Sequence, residues 1–152
     1  MVRGMRVTID ETLKHIRFLA RLFGKDNIRY VVVALLLELG IPTNYDGFEY
    51  LVKGITIYFR EPSLMITKGL YPVIAETSIN QVEGQLIESA IRNAIKTAWR
   101  KRDGESWACF FPGVTKRPSN AEFISRIAYM LDLWEGCCKE YERIGANEEG
   151  VV

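Results

Sequence analysis

The clearest feature of the sequence is an uninterrupted helical pattern between Gln81 and Arg102. Its apolar residues recur every three or four positions and form one continuous stripe: Leu86, Ile87, Ala90, Ile91, Ala94, Ile95, Ala98 and Trp99. The opposite side carries Gln85, Glu88, Ser89, Arg92, Asn93, Lys96 and Arg100. Asp103-Gly104 breaks the pattern. A helix with these two sides has to pack its stripe against other elements, and it leaves a polar and basic ridge outside the core.

Helical patterns also account for the rest of the chain. We predict a first helix opened by the capping box Thr8–Glu11 and stopped by Gly24, and a last helix opened by the capping box Ser119–Glu122. Between them we predict four shorter helices: Asn27 to Leu39, buried on all sides; Asn44 or Asp46 to Pro62; Ser63 to Tyr71; and Pro72 to Thr77. The β-branched Val31-Val32-Val33 would also suit a strand, but no segment has a clear strand pattern. The expected fold is therefore all-α, a compact bundle of about six or seven helices with one extra N-terminal helix.

Length and composition favour one folded domain. The 152 residues are 48% hydrophobic and 26% charged, the balance of an ordinary globular protein. We expect an extension helix over residues 1–26, the main domain over residues 27–143 and a flexible tail over residues 144–152.

Charge is unevenly distributed along a chain whose formal net charge is only +1. Between Gln85 and Arg117 there are seven basic and three acidic residues, whereas Leu131 to Gly150 contains two basic and six acidic ones. The basic part includes the ridge of the amphipathic helix, so this part of the chain suits a polyanionic partner better than the average charge suggests.

The segment from Pro72 to Arg102 has the order of parts of a helix-turn-helix. A short helix, a tight turn at Ser78 to Gln81 and a longer amphipathic helix follow one another. In such a motif the second helix enters the major groove of double-stranded DNA, and its N-terminal half reaches base edges. We therefore predict base-facing roles for Gln85, Glu88, Ser89, Arg92 and Asn93, and phosphate contacts for Lys96, Arg100, Lys101, Arg102, Lys116 and Arg117.

Four short motifs in register resemble one known family. They are Glu38–Pro42 with Gly47–Leu51, then Leu70–Ala75, Glu88–Ile95 ending at Ala98-Trp99, and Arg117–Ile124. Over roughly residues 27 to 134 the chain resembles the C-terminal effector domain of the stage-zero sporulation master regulator of endospore-forming Firmicutes. The resemblance implies an all-α domain that binds short operator boxes, often as tandem dimers, and regulates promoters. It places Glu88 and Arg92 on the base-facing side and Lys116 at a phosphate, and implies a second protomer and RNA polymerase or a related regulator as further partners.

Two departures from this family affect the expected function. The family usually has R-V-E-R where this chain has Leu86-Ile87-Glu88-Ser89, so both flanking arginines are replaced. We therefore expect an altered operator preference, because an arginine paired to guanine is a common source of base discrimination. The family also carries a receiver domain before this one, whereas Met1 to Asp26 predicts a single helix.

An aromatic segment after the helix allows two interpretations. Trp107, Phe110 and Phe111 either belong to a loop that fills the core beneath the recognition helix, or form an exposed patch that contacts another protein. The sequence leaves both open.

Other classes of function have less support. The chain has no phosphate-binding loop, dinucleotide fingerprint or nucleophile elbow, and with one histidine we expect no metal site, no cofactor and no enzymatic activity. Three cysteines and no apolar run long enough for a membrane predict a reduced, cytoplasmic protein. Two alternatives to a sequence-specific regulator remain: an interaction module of the same fold that competes with or dimerises with a relative, and a non-specific DNA-binding protein.

Overall fold

The helices of this protein follow the amphipathic segments closely. The computed structural model describes residues 2–77 and 83–149, and within them it contains seven α-helices and no strand. The helices are α1 (Val2–Leu22), α2 (Ile28–Glu38), α3 (Asp46–Arg60), α4 (Tyr71–Thr77), α5 (Gly84–Arg100), α6 (Gly104–Phe110) and α7 (Asn120–Glu149). The predicted all-α bundle is confirmed.

Two helix ends show why local sequence signals were informative. Gly40 has a φ of +76°, and its backbone N–H donates to Leu37 while that of Ile41 donates to Leu36, which closes α2 in a Schellman arrangement. Ser119 Oγ accepts a hydrogen bond of 3.1 Å from the backbone N–H of Glu122 at the start of α7. Both ends lie where the sequence predicts them.

Two other predicted helix starts are wrong. Helix α1 begins at Val2, so the capping box at Thr8 lies inside the helix rather than at its end. A cap contributes only about 1 kcal/mol, and helix-forming residues before it let the helix continue. The helix expected from Ser63 is instead a π-helical turn, Ile66–Leu70, that runs directly into α4.

The core is built around α3, α5 and α7, which pack against one another. Their inward side chains are fully buried: Leu51 and Ile55 from α3, Ile87 and Ile91 from α5, and Phe123, Ile127 and Trp134 from α7. Because α3 and α7 both support α5, the position of the amphipathic helix is determined from two sides.

The N-terminal helix α1 is part of the same core. Ile16 and Leu19 are buried, and α1 packs against α6 and α7. The backbone carbonyl of Phe23, just after α1, accepts hydrogen bonds from Trp134 Nε1 at 3.3 Å and Cys138 Sγ at 3.6 Å. Helix α7 continues to Glu149, so residues 144–149 of the predicted tail 144–152 have helical backbone.

Helix α2 is less buried than its composition suggests. Val31, Val32, Leu35 and Leu36 belong to the core, but Tyr30 and Leu37 are 60% and 52% exposed. The prediction that α2 is buried on all sides is therefore wrong. Helix α2 has apolar side chains all around its axis, but the chain has too few other helices to cover every side of it, and exposed apolar side chains are common in folded proteins.

Candidate nucleic-acid interface

Helix α5 presents one polar side to solvent and packs the other into the core. Ile87, Ile91, Ala94, Ile95 and Ala98 are buried, as their spacing predicts, whereas Leu86, which belongs to the same predicted stripe, is exposed. The helix runs from Gly84 to Arg100, slightly shorter than the predicted Gln81 to Arg102. The predicted turn at Ser78 to Gln81 lies outside the described residues. Helix α4 packs directly against α5, which is the neighbour relation that a helix-turn-helix requires.

A glycine allows α3 to approach α5 closely. A Cβ at Gly47 would collide with the backbone carbonyl of Ala90 and lie 2.9 Å from the Cβ of Ala94. Small residues on both helices therefore let the two backbones approach closely at this crossing. This crossing fixes the middle of α5 against the start of α3.

A side chain from α7 connects three helices behind the polar side. Asn120 Nδ2 donates to the hydroxyl of Tyr71 at 3.1 Å and to the backbone carbonyl of Glu88 at 3.0 Å. Tyr71 begins α4 and is buried, and burial raises the pKa of its hydroxyl, an effect that the hydrogen bond from Asn120 opposes. The contact ties α4 and α5 to the start of α7.

The predicted base-facing residues share the exposed side of α5. Gln85, Ser89, Arg92 and Asn93 are exposed, and Glu88 is partly exposed at the edge of that side. Lys96 and Arg100 continue the same side toward the C-terminus of the helix. The structure thus brings these seven side chains together on one ridge, which we call the α5 ridge.

A cleft lies on each side of the α5 ridge. The first, about 310 Å³, is lined by Thr67, Tyr71, Glu88, Arg92 and Arg117, together with the start of α7. The second, about 580 Å³, separates Asn93, Lys96 and Arg100 from the segment Asn44–Gly47. Because it lies between two depressions, the ridge projects from the surface, as a helix must do to enter a groove of DNA.

Glu88 and Arg92 form an ion pair on the ridge. The Arg92 guanidinium donates to Glu88 Oε1 at 2.7 Å, and both side chains are partly exposed. A pair of this spacing at a helix surface is weak, so either partner can exchange it for a ligand. The two predicted base-reading residues therefore pair with each other in the free protein, and this pair can open when a ligand binds.

The predicted phosphate-binding residues differ in whether their side chains are available to bind a ligand. Lys101 and Lys116 are exposed, and Arg117 lines the first cleft together with Arg92. Arg102 instead folds back over α5: its guanidinium lies 3.8 Å from the centre of the Trp99 ring and donates to the Trp99 carbonyl at 2.8 Å. Arg102 would have to leave this cation–π contact to reach a phosphate.

The aromatic segment after α5 belongs to the core. Trp107, Phe110 and Phe111 are only 3%, 1% and 4% exposed, and Trp107 and Phe111 pack against Phe123 of α7. Trp107 Nε1 also donates to the Leu39 carbonyl at 3.0 Å. The exposed-patch interpretation is therefore wrong, and the core interpretation holds, although most of the segment forms helix α6 rather than a loop. Large aromatic rings gain more from burial here than from a transient partner.

Asn120 is a site residue that sequence reasoning missed. Its position in the capping box Ser119–Glu122 accounted for it as the start of α7. Nothing in the sequence indicates that its amide reaches Glu88, which lies 32 residues earlier. Among the described residues there is also no group of three or more His, Cys, Asp or Glu side chains that could hold a metal ion. None of the described helices has the length and apolar character needed to cross a membrane.

Comparison with protein families places this arrangement in context. A family model described as the sporulation initiation factor Spo0A C-terminal domain matches residues 32–131, which is 100 of the 152 residues. The matched range runs from α2 into α7 and contains the whole α5 ridge. Helix α1 lies before it.

Proposed function

Because this chain belongs to the family of the sporulation initiation factor Spo0A C-terminal domain, which comprises DNA-binding regulatory domains, we propose that it regulates transcription by inserting α5 into the major groove of specific DNA sites. In this proposal Gln85, Glu88, Ser89, Arg92 and Asn93 face base edges. The observation that carries it is the α5 ridge, an exposed polar and basic surface that projects between two clefts.

Cations around the ridge support the same docking. Lys96, Arg100 and Lys101 continue beyond the base-facing residues, Arg117 lines the first cleft, and Lys116, which precedes it in the chain, is exposed. Positive charge on both sides of an inserted helix suits the two phosphate backbones that border a major groove. Arg102 joins them only after it releases Trp99.

We further propose that the preferred DNA sequence differs from that of relatives with arginines at the start of this helix. Leu86 and Ser89 occupy those positions, and neither can make the bidentate contact that arginine makes with guanine. Binding of two protomers to adjacent sites, and contact with RNA polymerase or a related regulator, complete the proposal. Any such protein contact uses residues other than Trp107, Phe110 and Phe111, which are buried.

A selection from random DNA duplexes tests this function. We expect the wild-type protein to enrich one motif at low salt, and we expect Arg92→Ala to weaken binding to that motif by about 10-fold or more, since a bidentate base contact contributes ~1–3 kcal/mol of discrimination. Arg29→Ala is the matched control, because Arg29 also pairs with a glutamate, Glu49, at 2.7 Å but lies on α2. Enrichment of no motif would refute sequence-specific binding.

The same selection separates the alternatives. Equal weakening of all duplexes by Arg92→Ala would indicate non-specific binding. No DNA binding at low salt, with capture of a relative of the same fold, would indicate an interaction module. With Ser89→Arg, we expect the enriched motif to gain a guanine at one position, because the added guanidinium lies on the exposed side of α5.

A further inference from the structure

One apolar side chain interrupts the polar surface at the start of α5. Among the described residues of this helix, Leu86 is the one large apolar side chain that is exposed, with 59% of its surface accessible. The three isoleucines of the helix, Ile87, Ile91 and Ile95, are buried. Leu86 therefore contributes little to the core. Because single exposed leucines are common on protein surfaces, its place on the helix decides what it can contact.

The position of Leu86 is one that can reach base edges. It is the third residue of α5, and its backbone N–H closes the first turn by donating to the Glu83 carbonyl at 3.0 Å. Gln85 and Ser89, on either side of it, are exposed, and one helical turn further on Asn93 is exposed too. The N-terminal turns of a recognition helix are the part that contacts bases in the major groove.

We infer that Leu86 reads the C5-methyl group of a thymine. This methyl is the apolar group that a base pair presents in the major groove, and an aliphatic side chain gains by burying itself against it. Leu86 has no polar atom with which to recognise guanine, cytosine or adenine. The inference rests on the proposed function, because it requires that α5 enters the major groove.

Replacement of thymine by deoxyuridine tests this inference, because it removes the methyl group and leaves the base pair unchanged. In the motif that the wild-type protein selects, each thymine is replaced in turn and the Kd is measured at fixed salt. We expect one replacement to weaken wild-type binding by about fourfold, the effect of one methyl-sized group. We expect Leu86→Ala to bind the thymine and deoxyuridine versions of that site equally.

Leu37→Ala is the control, since Leu37 is also an exposed leucine, with 52% of its surface accessible, but lies on α2. It should still distinguish thymine from deoxyuridine at the position that Leu86 reads. If Leu86→Ala and the wild-type protein respond alike to every replacement, or if no replacement weakens wild-type binding, the inference is wrong while the proposed function stands. If no motif is enriched, the proposed function fails and the inference fails with it.

Discussion

Asn120 shows how one side chain can support a surface that it does not belong to. Its two amide hydrogens have separate acceptors, the Tyr71 hydroxyl on α4 and the Glu88 carbonyl on α5. Glu88 is also the residue whose carboxylate holds Arg92. The geometry of the α5 ridge near Arg92 therefore depends on a residue of α7. The described hydrogen bonds of the Asn120 side chain go to Tyr71 and to the Glu88 backbone, and none goes to an exposed side chain of the ridge.

We predict that Asn120→Ala lowers the free energy of unfolding by about 1–3 kcal/mol, because it leaves the buried Tyr71 hydroxyl without its donor and removes a second donor from the Glu88 carbonyl. Urea denaturation measures this change. Asn93→Ala is the control, since Asn93 is exposed on α5 and should alter stability by less than about 0.5 kcal/mol. Equal effects of the two substitutions would show that the Asn120 contacts do not stabilise the fold.

At the scale of elements, the position of α5 depends on the crossing with α3. Gly47 lies in the first turn of α3, and its lack of a side chain lets α3 approach Ala90 and Ala94. The small residues at the crossing bring two backbones together, whereas the larger apolar residues of α5 contact other parts of the core. A tight crossing of this kind leaves little room for α5 to shift along or rotate about its axis.

The two glycines Gly47 and Gly136 should respond to alanine in opposite directions. We expect Gly47→Ala to destabilise the protein by about 1–3 kcal/mol, since its Cβ would collide with the Ala90 carbonyl. Gly136 lies within α7 with no neighbour within 4 Å of an added Cβ, so Gly136→Ala should stabilise by about 0.5–1 kcal/mol through helix propensity. Thermal and urea denaturation measure both. A neutral Gly47→Ala would mean that α3 and α5 can separate without cost.

At the scale of the whole molecule, the basic interface and the acidic end of α7 are separate regions. The basic residues proposed to contact DNA lie on α5 and before α7, whereas the second half of α7 carries more acidic than basic residues. Several of the acidic ones pair with nearby cations, as Glu135 does with Lys139 at 3.4 Å and Glu142 with Lys25 at 3.7 Å. A net charge close to zero is therefore compatible with a strongly basic binding surface, and the acidic end should turn away from DNA.

The dependence of DNA affinity on salt follows from this separation. We predict that Lys116→Ala reduces the slope of log K against log salt by about one, because one phosphate contact releases about one counterion. Lys139→Ala, at the acidic end, should leave the slope unchanged although it removes the same charge. Binding isotherms at several salt concentrations measure both slopes. Equal reductions for the two variants would indicate that the slope reflects net charge rather than a phosphate contact.

Much of the fold and part of the site could be predicted from local sequence. The spacing of Ile87, Ile91 and Ala94 determines which side of α5 is buried, because a helix repeats every 3.6 residues whatever surrounds it. Gly40 and Ser119 marked helix ends for equally local reasons. The family followed from short motifs in register, and the match over residues 32–131 confirms it.

For residues whose pattern suited either the surface or the core, only the tertiary structure decided which of the two they occupy. Trp107, Phe110 and Phe111 suited either an exposed patch or a core. In the fold Trp107 and Phe111 pack against Phe123, and Phe110 packs against His15. The reach of Asn120 to Glu88 and the approach of Gly47 to Ala90 join residues tens of positions apart. Sequence periodicity describes one helix at a time, so it determined which side of α5 is apolar and which is polar. Contacts between helices determined how α5 is positioned and which of its side chains are exposed to solvent.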